Sequence, residues 1–390
     1  MTHDLKHTAL PVTAAVVGAL TLMSTTSVAA DLTVAGMIDT GLRYYHVNDG
    51  VNASTNRYEM ADGLLDGNRL LFIGHEDLSP ETDLGFWLEA SFTSDSGEMK
   101  TAGTLFDRGA YLWVRNKAWG QLSAGRSGAV RAGATPLTFD ITWNRINPFG
   151  TGWGELGNPV FLMPFYGFSV NNMLQYDTPT FGPFQAHVQH SFAISNDAGV
   201  LEGKSSADRY TSLSLTFDSE VVNLVAMLDT INENASTGPQ KDMLSALVGG
   251  NVNWGDVRFY AWGSWFKNAD NVIALPGFSD YSLFQGMDRI NGYSFGTGVR
   301  VPFAGGNINA FAMTLKADYD DTVSDAVAKQ IGSEVRRYSA AVGYTYPLSK
   351  RTTLYGAVGF YKDVASLVNQ GHEYHNPISS QAIFGINHKF

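Results

Sequence analysis

Residue types that perform catalysis or bind metal ions are few in this sequence, and their spacing does not suit that chemistry. The chain has no cysteine, which excludes thiol nucleophiles and cysteine zinc sites. His187 and His190 fall on one predicted strand, where residues i and i+3 face opposite sides. His372 and His375 fall on a predicted loop and lack the HExxH spacing. No serine motif or acid pair is placed for hydrolysis, so we predict no metal, no cofactor and no enzymatic activity.

The charged residues fall instead on single faces of alternating segments. Residues 31–47 alternate with period two, and Asp39 and Arg43 share one face of that segment. Residues 84–92 repeat the pattern, with Glu89 on the polar face. Such alternation is typical of a membrane barrel strand, whose apolar face contacts lipid and whose polar face lines a lumen. We therefore predict that Asp39, Arg43 and Glu89 are lumenal.

The composition favours many strands and tight turns over a helical protein. Aromatic residues make up 12% of the chain, and there are 41 glycines among 390 residues. Tyrosine, phenylalanine and glycine in these amounts suit strands, turns and the aromatic girdles of a membrane barrel. The formal net charge of -11 argues against a nucleic-acid partner.

The N-terminus has the organisation of a secretory signal peptide. Lys6 supplies a positive start, and residues 9–23 supply an apolar stretch. Small residues follow, and cleavage after Ala29 or after Ala30 fits equally well. The alternative is a soluble helix or a membrane anchor, and Pro11 argues against both.

The rest of the chain has no segment suited to a transmembrane helix. After residue 30, no apolar run approaches the roughly 20 residues that such a helix needs. A protein of this kind spans a membrane only as a closed barrel. A leader without a later transmembrane helix leaves three locations open: the periplasm, the exterior and the outer membrane. Together with the alternating segments, it predicts a cleaved leader at residues 1–30 and one transmembrane barrel domain at residues 31–390, exported through the periplasm to a bacterial outer membrane.

The predicted strands are joined alternately by short turns and long polar connections, as in an antiparallel membrane barrel. About 16 strands of roughly 11 residues would use half of the mature chain, and 14 or 18 strands remain compatible. The short turns are predicted at residues 77–80, 116–118 and 347–350, and the long connections at residues 48–67, 93–104, 266–289, 319–332 and 363–377.

The longest connection, residues 127–168, is aromatic rather than charged. A connection of that length in an economical barrel is usually functional or folded back on the protein. Trp143 and Trp153 could stack against sugar rings or aromatic solutes. The alternative, which we favour, is that these large rings pack the connection against the barrel wall.

Four stretches of the chain match the motifs of one known family, in the expected order. They are residues 68–78 (NRLLFIGHEDL), residues 105–126 with LFDRGAY and WGQLSAGR at their ends, residues 172–179 (NMLQYDTP), and residues 346–355 (YPLSKRTTLY) together with the terminal GINHKF. In these motifs the chain resembles the trimeric general-diffusion porins of Gram-negative bacteria.

This resemblance implies an all-β fold: a 16-stranded antiparallel transmembrane β-barrel, trimeric, whose long third loop folds into the lumen as a constriction. In that family, lumenal arginines face acidic loop residues across the narrowest part. By motif, Arg69 and Arg108 take two positions of the basic wall, and Arg126 at the end of the fifth strand is a further candidate. Glu89 takes a lumenal acidic position.

The long connection supplies the candidates for the acidic side of the constriction. Asp140 and Glu155 are the only acidic residues on the long connection, so they are the candidates that face the arginines. Ile73 stands where the family often has a second basic residue, and Ser169 and Val170 stand where it often has an arginine. A constriction with fewer charges orients solutes and selects ions less strongly.

The sequence therefore predicts passive diffusion of small hydrophilic solutes and ions through a water-filled pore. The alternative is a substrate-selective porin that binds saccharides or aromatic solutes on lumenal aromatic residues. An outer-membrane hydrolase is a third hypothesis, for which no nucleophile or acid pair is evident. The expected partners are two further copies of the chain, outer-membrane lipid and lipopolysaccharide, and the solutes themselves.

Overall fold

The structure is a computed structural model of the chain, and it describes most of residues 31–390. The predicted leader at residues 1–30 lies outside the described residues, as do most of the predicted connections at residues 266–289 and 319–332. Within residues 31–390 the structure leaves undescribed residues 132, 134, 151–152, 154, 165–168, 196–199, 235–240, 270–289, 320–333, 365 and 370–371.

The described residues are almost entirely β-structure. The three short helices all lie in the long connection: α1 (Pro136–Phe139), α2 (Trp143–Ile146) and a 3-10 helix (Pro159–Leu162). Among the described residues, no helix is long and apolar enough to cross a membrane. The strands are β1 (Asp31–Asn48), β2 (Thr55–Asp62), β3 (Arg69–Ser79), β4 (Thr82–Ser91), β5 (Gly109–Asn116), β6 (Gly120–Ser127), β7 (Val170–Asp177), β8 (Phe184–Ser191), β9 (Arg209–Asp218), β10 (Val222–Asn232), β11 (Met243–Trp254), β12 (Val257–Ala269), β13 (Ile290–Phe303), β14 (Gly306–Tyr319), β15 (Glu334–Pro347), β16 (Thr352–Val364), β17 (Ser366–Asn369), β18 (His372–His375) and β19 (Ile378–Lys389).

One continuous antiparallel sheet closes on itself through β1. The strand β1 pairs with β19 along one edge, from Met37↔Lys389 to Asn48↔Ile378. Along its other edge, β1 pairs with β2 in its second half and with β3 in its first half. Because β2 and β3 fill one strand position, and β17 and β18 form a separate hairpin, the barrel has 16 strand positions, as predicted.

The alternation of residue types explains why these segments form a barrel wall. In β9, Leu213 and Leu215 are exposed on the outer surface, whereas Ser212 and Ser214 are buried. Leucines on one face and serines on the other match a strand with lipid outside and polar groups inside. The same alternation in β1 exposes Leu32 and buries Asp39.

Large aromatic side chains are exposed on the outer surface near both ends of the barrel, as in the aromatic girdles of membrane barrels. At the end with the short turns, here called the turn end, these residues are Trp119, Phe181, Trp254, Phe303 and Tyr346. At the opposite end, here called the loop end, they are Tyr58, Phe192, Trp265, Tyr293 and Tyr338.

The connections follow the predicted pattern with two corrections. Short turns join β3 to β4, β5 to β6 and β15 to β16, as predicted. Residues 48–67 are not wholly a loop, because β2 lies within them and continues the hydrogen-bond ladder of β1. Residues 363–377 likewise contain the β17–β18 hairpin. The sequence did not indicate these strands, because β17 and β18 have four residues each and β2 lacks a long alternating pattern that would separate it from a polar loop.

Candidate functional site

Three of the predicted charged residues meet on one part of the wall. Glu89, on β4, is fully buried and binds arginines on both sides. Arg108 donates from Nε to Glu89 Oε1 at 2.5 Å, and an NH1 of Arg69 lies 3.3 Å from the same oxygen. Trp87 Nε1 donates to Glu89 Oε2 at 2.8 Å. The arrangement is a carboxylate shared by two guanidinium groups, with an indole fixing its second oxygen.

Glu89 therefore lies between the arginines and does not face them from an acidic side. The prediction gave Glu89 an acidic position by motif, and a motif does not report which side chains the residue contacts. Arg108 precedes the first residue of β5, so the alternation of that strand does not determine which way its side chain points. Its backbone N–H donates to the Glu89 carbonyl at 3.3 Å.

Arg126 lies near the end of β6, at a bulge. The register with β7 shifts between Gly125 and Ser127, and Gly125 has φ +137, which disfavours any residue with a Cβ. The Arg126 guanidinium donates to the carbonyl of Asp107 at 2.9 Å and to the side-chain oxygen of Asn171. Within the described residues no carboxylate forms an ion pair with Arg126, and it does not contact Glu89.

Asp39 is fully buried and holds an inward segment, residues 63–68, in place. Its carboxylate accepts hydrogen bonds from the backbone N–H groups of Leu64 (3.0 Å), Leu65 (3.2 Å) and Asp66 (3.2 Å). It also accepts from the Tyr355 hydroxyl at 2.6 Å and from Asn387 Nδ2 at 2.9 Å. Asp66 in turn forms an ion pair with Arg69. Asp39 thus positions the acidic partner of Arg69.

The backbone N–H and carbonyl groups of Asp39 form hydrogen bonds with the same segment, residues 63–68. No residue of β2 or β3 opposes Asp39, because the ladder stops at Thr40↔Asp62 and resumes at Met37↔Arg69. The carbonyl of Asp39 accepts from Gly63 N at 3.0 Å, and its N–H donates to Asn68 Oδ1 at 2.5 Å. These two bonds replace the missing ladder bonds, as buried backbone groups require.

The two acidic loop residues lie in different places. Glu155 receives the hydroxyl hydrogen of Tyr45 and lies 3.8 Å from Arg43 NH1, on the β1 wall. Arg43 also binds Glu59, at 2.6 Å from its Nε. Asp140 contacts Asn144 and lines a turn-end cavity of about 840 Å³. The structure does not bring Asp140 and Glu155 together, and neither contacts Arg69, Arg108 or Arg126.

The long connection is fixed to the wall by buried charges that the sequence analysis did not select. Arg131 forms a doubly hydrogen-bonded ion pair with Asp229 on β10, with both contacts at 2.6 Å. Arg337 on β15 pairs with the buried Asp363 at 2.7 Å and donates to the Phe161 carbonyl at 2.7 Å. The only sequence signal was Arg131 as one of few charges in an aromatic connection.

Further hydrogen bonds join the long connection to other strands of the wall. Arg300 on β13 donates to the Pro148 carbonyl at 2.5 Å, and the backbone N–H of Trp153 donates to the Leu65 carbonyl at 3.1 Å. The hydroxyl of Tyr361 on β16 donates to the Glu155 carbonyl at 2.5 Å. With further hydrogen bonds to β7, β8 and β9, the described part of the connection contacts strands from β7 to β16, and also β1 and the segment beside it.

Both candidate stacking residues are packed inside the protein. Trp143 has no exposed surface and Trp153 has 4%. The Trp153 ring packs edge-on against Phe149, with centroids 5.0 Å apart, and against Tyr355 at 6.1 Å. As placed, neither indole offers a face to a solute, which matches the packing alternative.

The side chains of His187 and His190 contact carboxylate and hydroxyl groups of the protein. His187 Nδ1 lies 2.6 Å from Asp177 Oδ1, and its Nε2 lies 3.2 Å from the Thr216 hydroxyl. His190 contacts the Thr211 hydroxyl instead, so the two side chains diverge. In the part of the chain that the structure describes, no group of three His, Asp or Glu residues is arranged for a metal ion.

Comparison with known proteins agrees with this architecture. An outer membrane porin protein of Bordetella pertussis is 27% identical over 389 residues, covering 92% of this chain and 94% of that protein. The structure of an anion-selective porin from Comamonas acidovorans superposes with a TM-score of 0.63 at 21% identity, covering 93% of this chain and all of that one (100%). OmpT of Vibrio cholerae, in vitro folded and in trimer form, superposes with a TM-score of 0.58 at 12% identity, covering 93% of this chain and 100% of the other.

The two structural likenesses establish the fold, and the sequence relative is itself an outer-membrane porin. A closed barrel with an apolar outer face and outer-membrane relatives places the chain in the bacterial outer membrane. The family model described as Gram-negative porin matches residues 12–366. Because that match spans most of the sequence, the chain belongs to the Gram-negative porin family.

Proposed function

We propose that this porin is a passive channel for small hydrophilic solutes and ions, narrowed by its long third loop. The loop contacts that carry this proposal fall on one part of the wall. Arg131, Pro148 and Phe161 are held by residues of β10, β13 and β15. Arg69 and Arg108, on the β3 to β5 side, remain 13% and 18% exposed. A passage between the loop and the part of the wall that carries Arg69 and Arg108 accounts for both observations.

We further propose a modest preference for anions at this constriction. Arg69 and Arg108 form ion pairs with Asp66 and Glu89, whereas among the described residues no carboxylate contacts Arg126, and Asp107 acts on it only at longer range. Arg126 is therefore the least neutralised of the three arginines on the basic wall. A narrow pore with an uncompensated charge favours counter-ions. The Comamonas acidovorans porin of the same fold is described as anion-selective, which supports the same sign here.

The proposed assembly is a homotrimer surrounded by outer-membrane lipid and lipopolysaccharide. The trimer form of Vibrio cholerae OmpT supports this state by likeness of fold. Exposed apolar side chains are prominent on β1 and β2, where Leu42 is 65% and Tyr58 is 80% exposed. A face of this kind is suited to lipid or to another copy of the chain. Residues 1–30 are the proposed leader that directs export through the periplasm.

A substrate-selective porin is the second candidate, and its aromatic surface would be formed by Trp87 and Trp113 and not by the buried Trp143 and Trp153. Trp87 and Trp113 are only partly buried and pack against the buried hydrophobic side chains of the core. Trp113 lies 6.1 Å from Tyr111 by ring centroids, and its Nε1 donates to Asp83 at 3.3 Å. These rings form a short track on the basic wall. Saturable current block by one sugar or aromatic acid would favour this candidate over a general channel.

Single-channel recording in a planar bilayer under a salt gradient tests the proposal. We expect stepwise openings, often in threes, and a reversal potential that favours anions. Heat-treated, unfolded protein serves as the control for bilayer leakage. A folded preparation that gives no conductance would overturn the channel, and a cation-favouring reversal potential would overturn the assigned selectivity alone.

A further inference from the structure

Two arginines lie directly opposite each other on neighbouring strands near the turn end. The register pairs Arg258 on β12 with Arg300 on β13. Asn253 on β11 opposes Arg258, and Asn309 on β14 opposes Arg300. These four residues, here called the turn-end belt, form one row of Asn, Arg, Arg and Asn across four strands.

The turn-end belt lies on the inner face of the wall. Tyr260 and Trp262, which share the parity of Arg258, are 2% and 4% exposed. Phe259, on the opposite face of the same strand, is exposed to 43%. Both arginine side chains are partly buried. They therefore point toward the lumen and not toward lipid.

The hydrogen bonds of the belt use few of its donors. Arg258 Nε donates to the Asn253 side-chain oxygen at 2.7 Å, and Arg300 Nε donates to that of Asn309 at 2.8 Å. Arg300 also donates from NH2 to the Pro148 carbonyl and lies over the Tyr260 ring, 6.0 Å from its centroid. Each guanidinium has five N–H groups, so both retain terminal donors that can bind another partner.

Among the described residues, no ion pair balances the charge of the belt. Neither Arg258 nor Arg300 forms an ion pair with a carboxylate among the residues that the structure describes. By contrast, Arg145 nearby is paired with Asp218, and Arg115 with Asp83. Directly opposed like charges destabilise a strand pair. An anion between the two guanidinium groups would remove that repulsion.

We propose that the turn-end belt binds a small oxyanion, a carboxylate or a phosphate, between Arg258 and Arg300. The planar forks of two guanidinium groups match the paired oxygens of such anions. The two asparagines orient the arginines by fixing each Nε, and Pro148 fixes one NH2 of Arg300. The site rests on the proposed function only in requiring that solutes reach the lumen.

Calorimetric titration of the folded, detergent-solubilised porin with inorganic phosphate tests the site, with succinate as the carboxylate probe. Arg258→Gln and Arg300→Gln should each weaken binding about tenfold, because each removes one charge-assisted partner. Lys117→Gln is the matched control, since it removes one positive charge at the same end, and it should leave binding unchanged. No saturable binding in the native porin, or equal weakening by the control, would overturn the site.

Asn309→Asp provides a second variant that keeps both arginines. The new carboxylate would occupy the Arg300 guanidinium and compete with phosphate, so binding should fall about tenfold while the barrel stays folded. Unchanged affinity in this variant would contradict the site even if the arginine variants did not fold. Calorimetry detects binding whether or not the barrel conducts, so failure of the belt and failure of the channel are separate results.

Discussion

Arg131 and Asp229 form a buried, two-point ion pair between the start of the third loop and the strand β10. Ser245 and Tyr210 also donate to the Asp229 carboxylate, at 2.5 and 3.4 Å. The loop is therefore held at its first turn by a charge pair that is shielded from water. Such a pair fixes geometry, because the loss of one partner leaves the other charge buried and unpaired.

We expect Asp229→Ala to release the start of the loop. The unpaired Arg131 would cost about 3 to 5 kcal/mol, which detachment of the loop would relieve. Single-channel recordings should show higher conductance or added current noise. The double variant Arg131→Met with Asp229→Leu removes both charges and should restore a quiet channel. Identical conductance in Asp229→Ala and the native protein would show that the pair does not hold the constriction.

Substitutions of Glu89 and of Arg126 should change ion selectivity in opposite directions. Glu89→Gln removes a negative charge between Arg69 and Arg108, whereas Arg126→Gln removes a positive charge. A unit charge about 7 Å from an ion in a water-like medium contributes about 0.6 kcal/mol. Because the charge acts with opposite sign on an anion and on a cation, the difference between the two ions is about 1.2 kcal/mol. We therefore expect the anion-to-cation permeability ratio to rise about eightfold in the first variant and to fall by about that factor in the second.

Reversal potentials under a salt gradient measure this effect. The control is Lys117→Gln, because Lys117 lies in an exposed turn outside the constriction. Shifts of the same sign in Glu89→Gln and Arg126→Gln would contradict the assigned charge balance.

Asp39 should act on stability and not directly on permeation. Asp39→Leu would leave the N–H groups of Leu64, Leu65 and Asp66 without their acceptor. Each orphaned donor costs about 1 to 3 kcal/mol, so we expect a lower unfolding temperature. Hydrogen exchange of residues 63–68 should accelerate. Asp39→Asn keeps one side-chain oxygen and should show a smaller effect, and equal effects of both variants would argue against this hydrogen-bond role.

Substitution of Trp143 and of Trp87 would distinguish a tryptophan that only packs the loop from one that binds a solute. Trp143 is buried, and its Nε1 has no hydrogen-bond partner among the described residues, so Trp143→Phe should leave current block by an aromatic acid unchanged. Trp87→Phe removes a partly exposed indole that donates to Glu89. If the selective candidate holds, this variant should weaken the block by less than about tenfold, since stacking in full contributes about 0.5 to 1.5 kcal/mol and a phenyl ring keeps part of it. No block in the native porin would remove the selective candidate.

The wall was predictable from sequence because period two reports which face each residue occupies. Asp39, Arg43 and Glu89 lie on the inner face as their parity indicated. Arg108 and Arg126 were harder, because a strand end and a bulge release them from that parity. Local pattern carries no information on either irregularity.

The partners of these residues could not be read from the sequence. Arg131 lies 98 residues before Asp229, and Arg337 reaches a carbonyl 176 residues away in the third loop. Pairings at such separations depend on how the closed barrel places its strands. The same limit explains why the contacts of Glu89 with both arginines, and the different partners of Asp140 and Glu155, were not predicted.

The split between β2 and β3 has a consequence for how such a pore could diversify. Residues 63–68 enter the lumen from the middle of the wall, while the ladder on either side keeps its register with β1. Insertions or deletions there would alter the pore lining without shifting any strand. The barrel thus contains a position where solute preference can evolve independently of the scaffold that crosses the membrane.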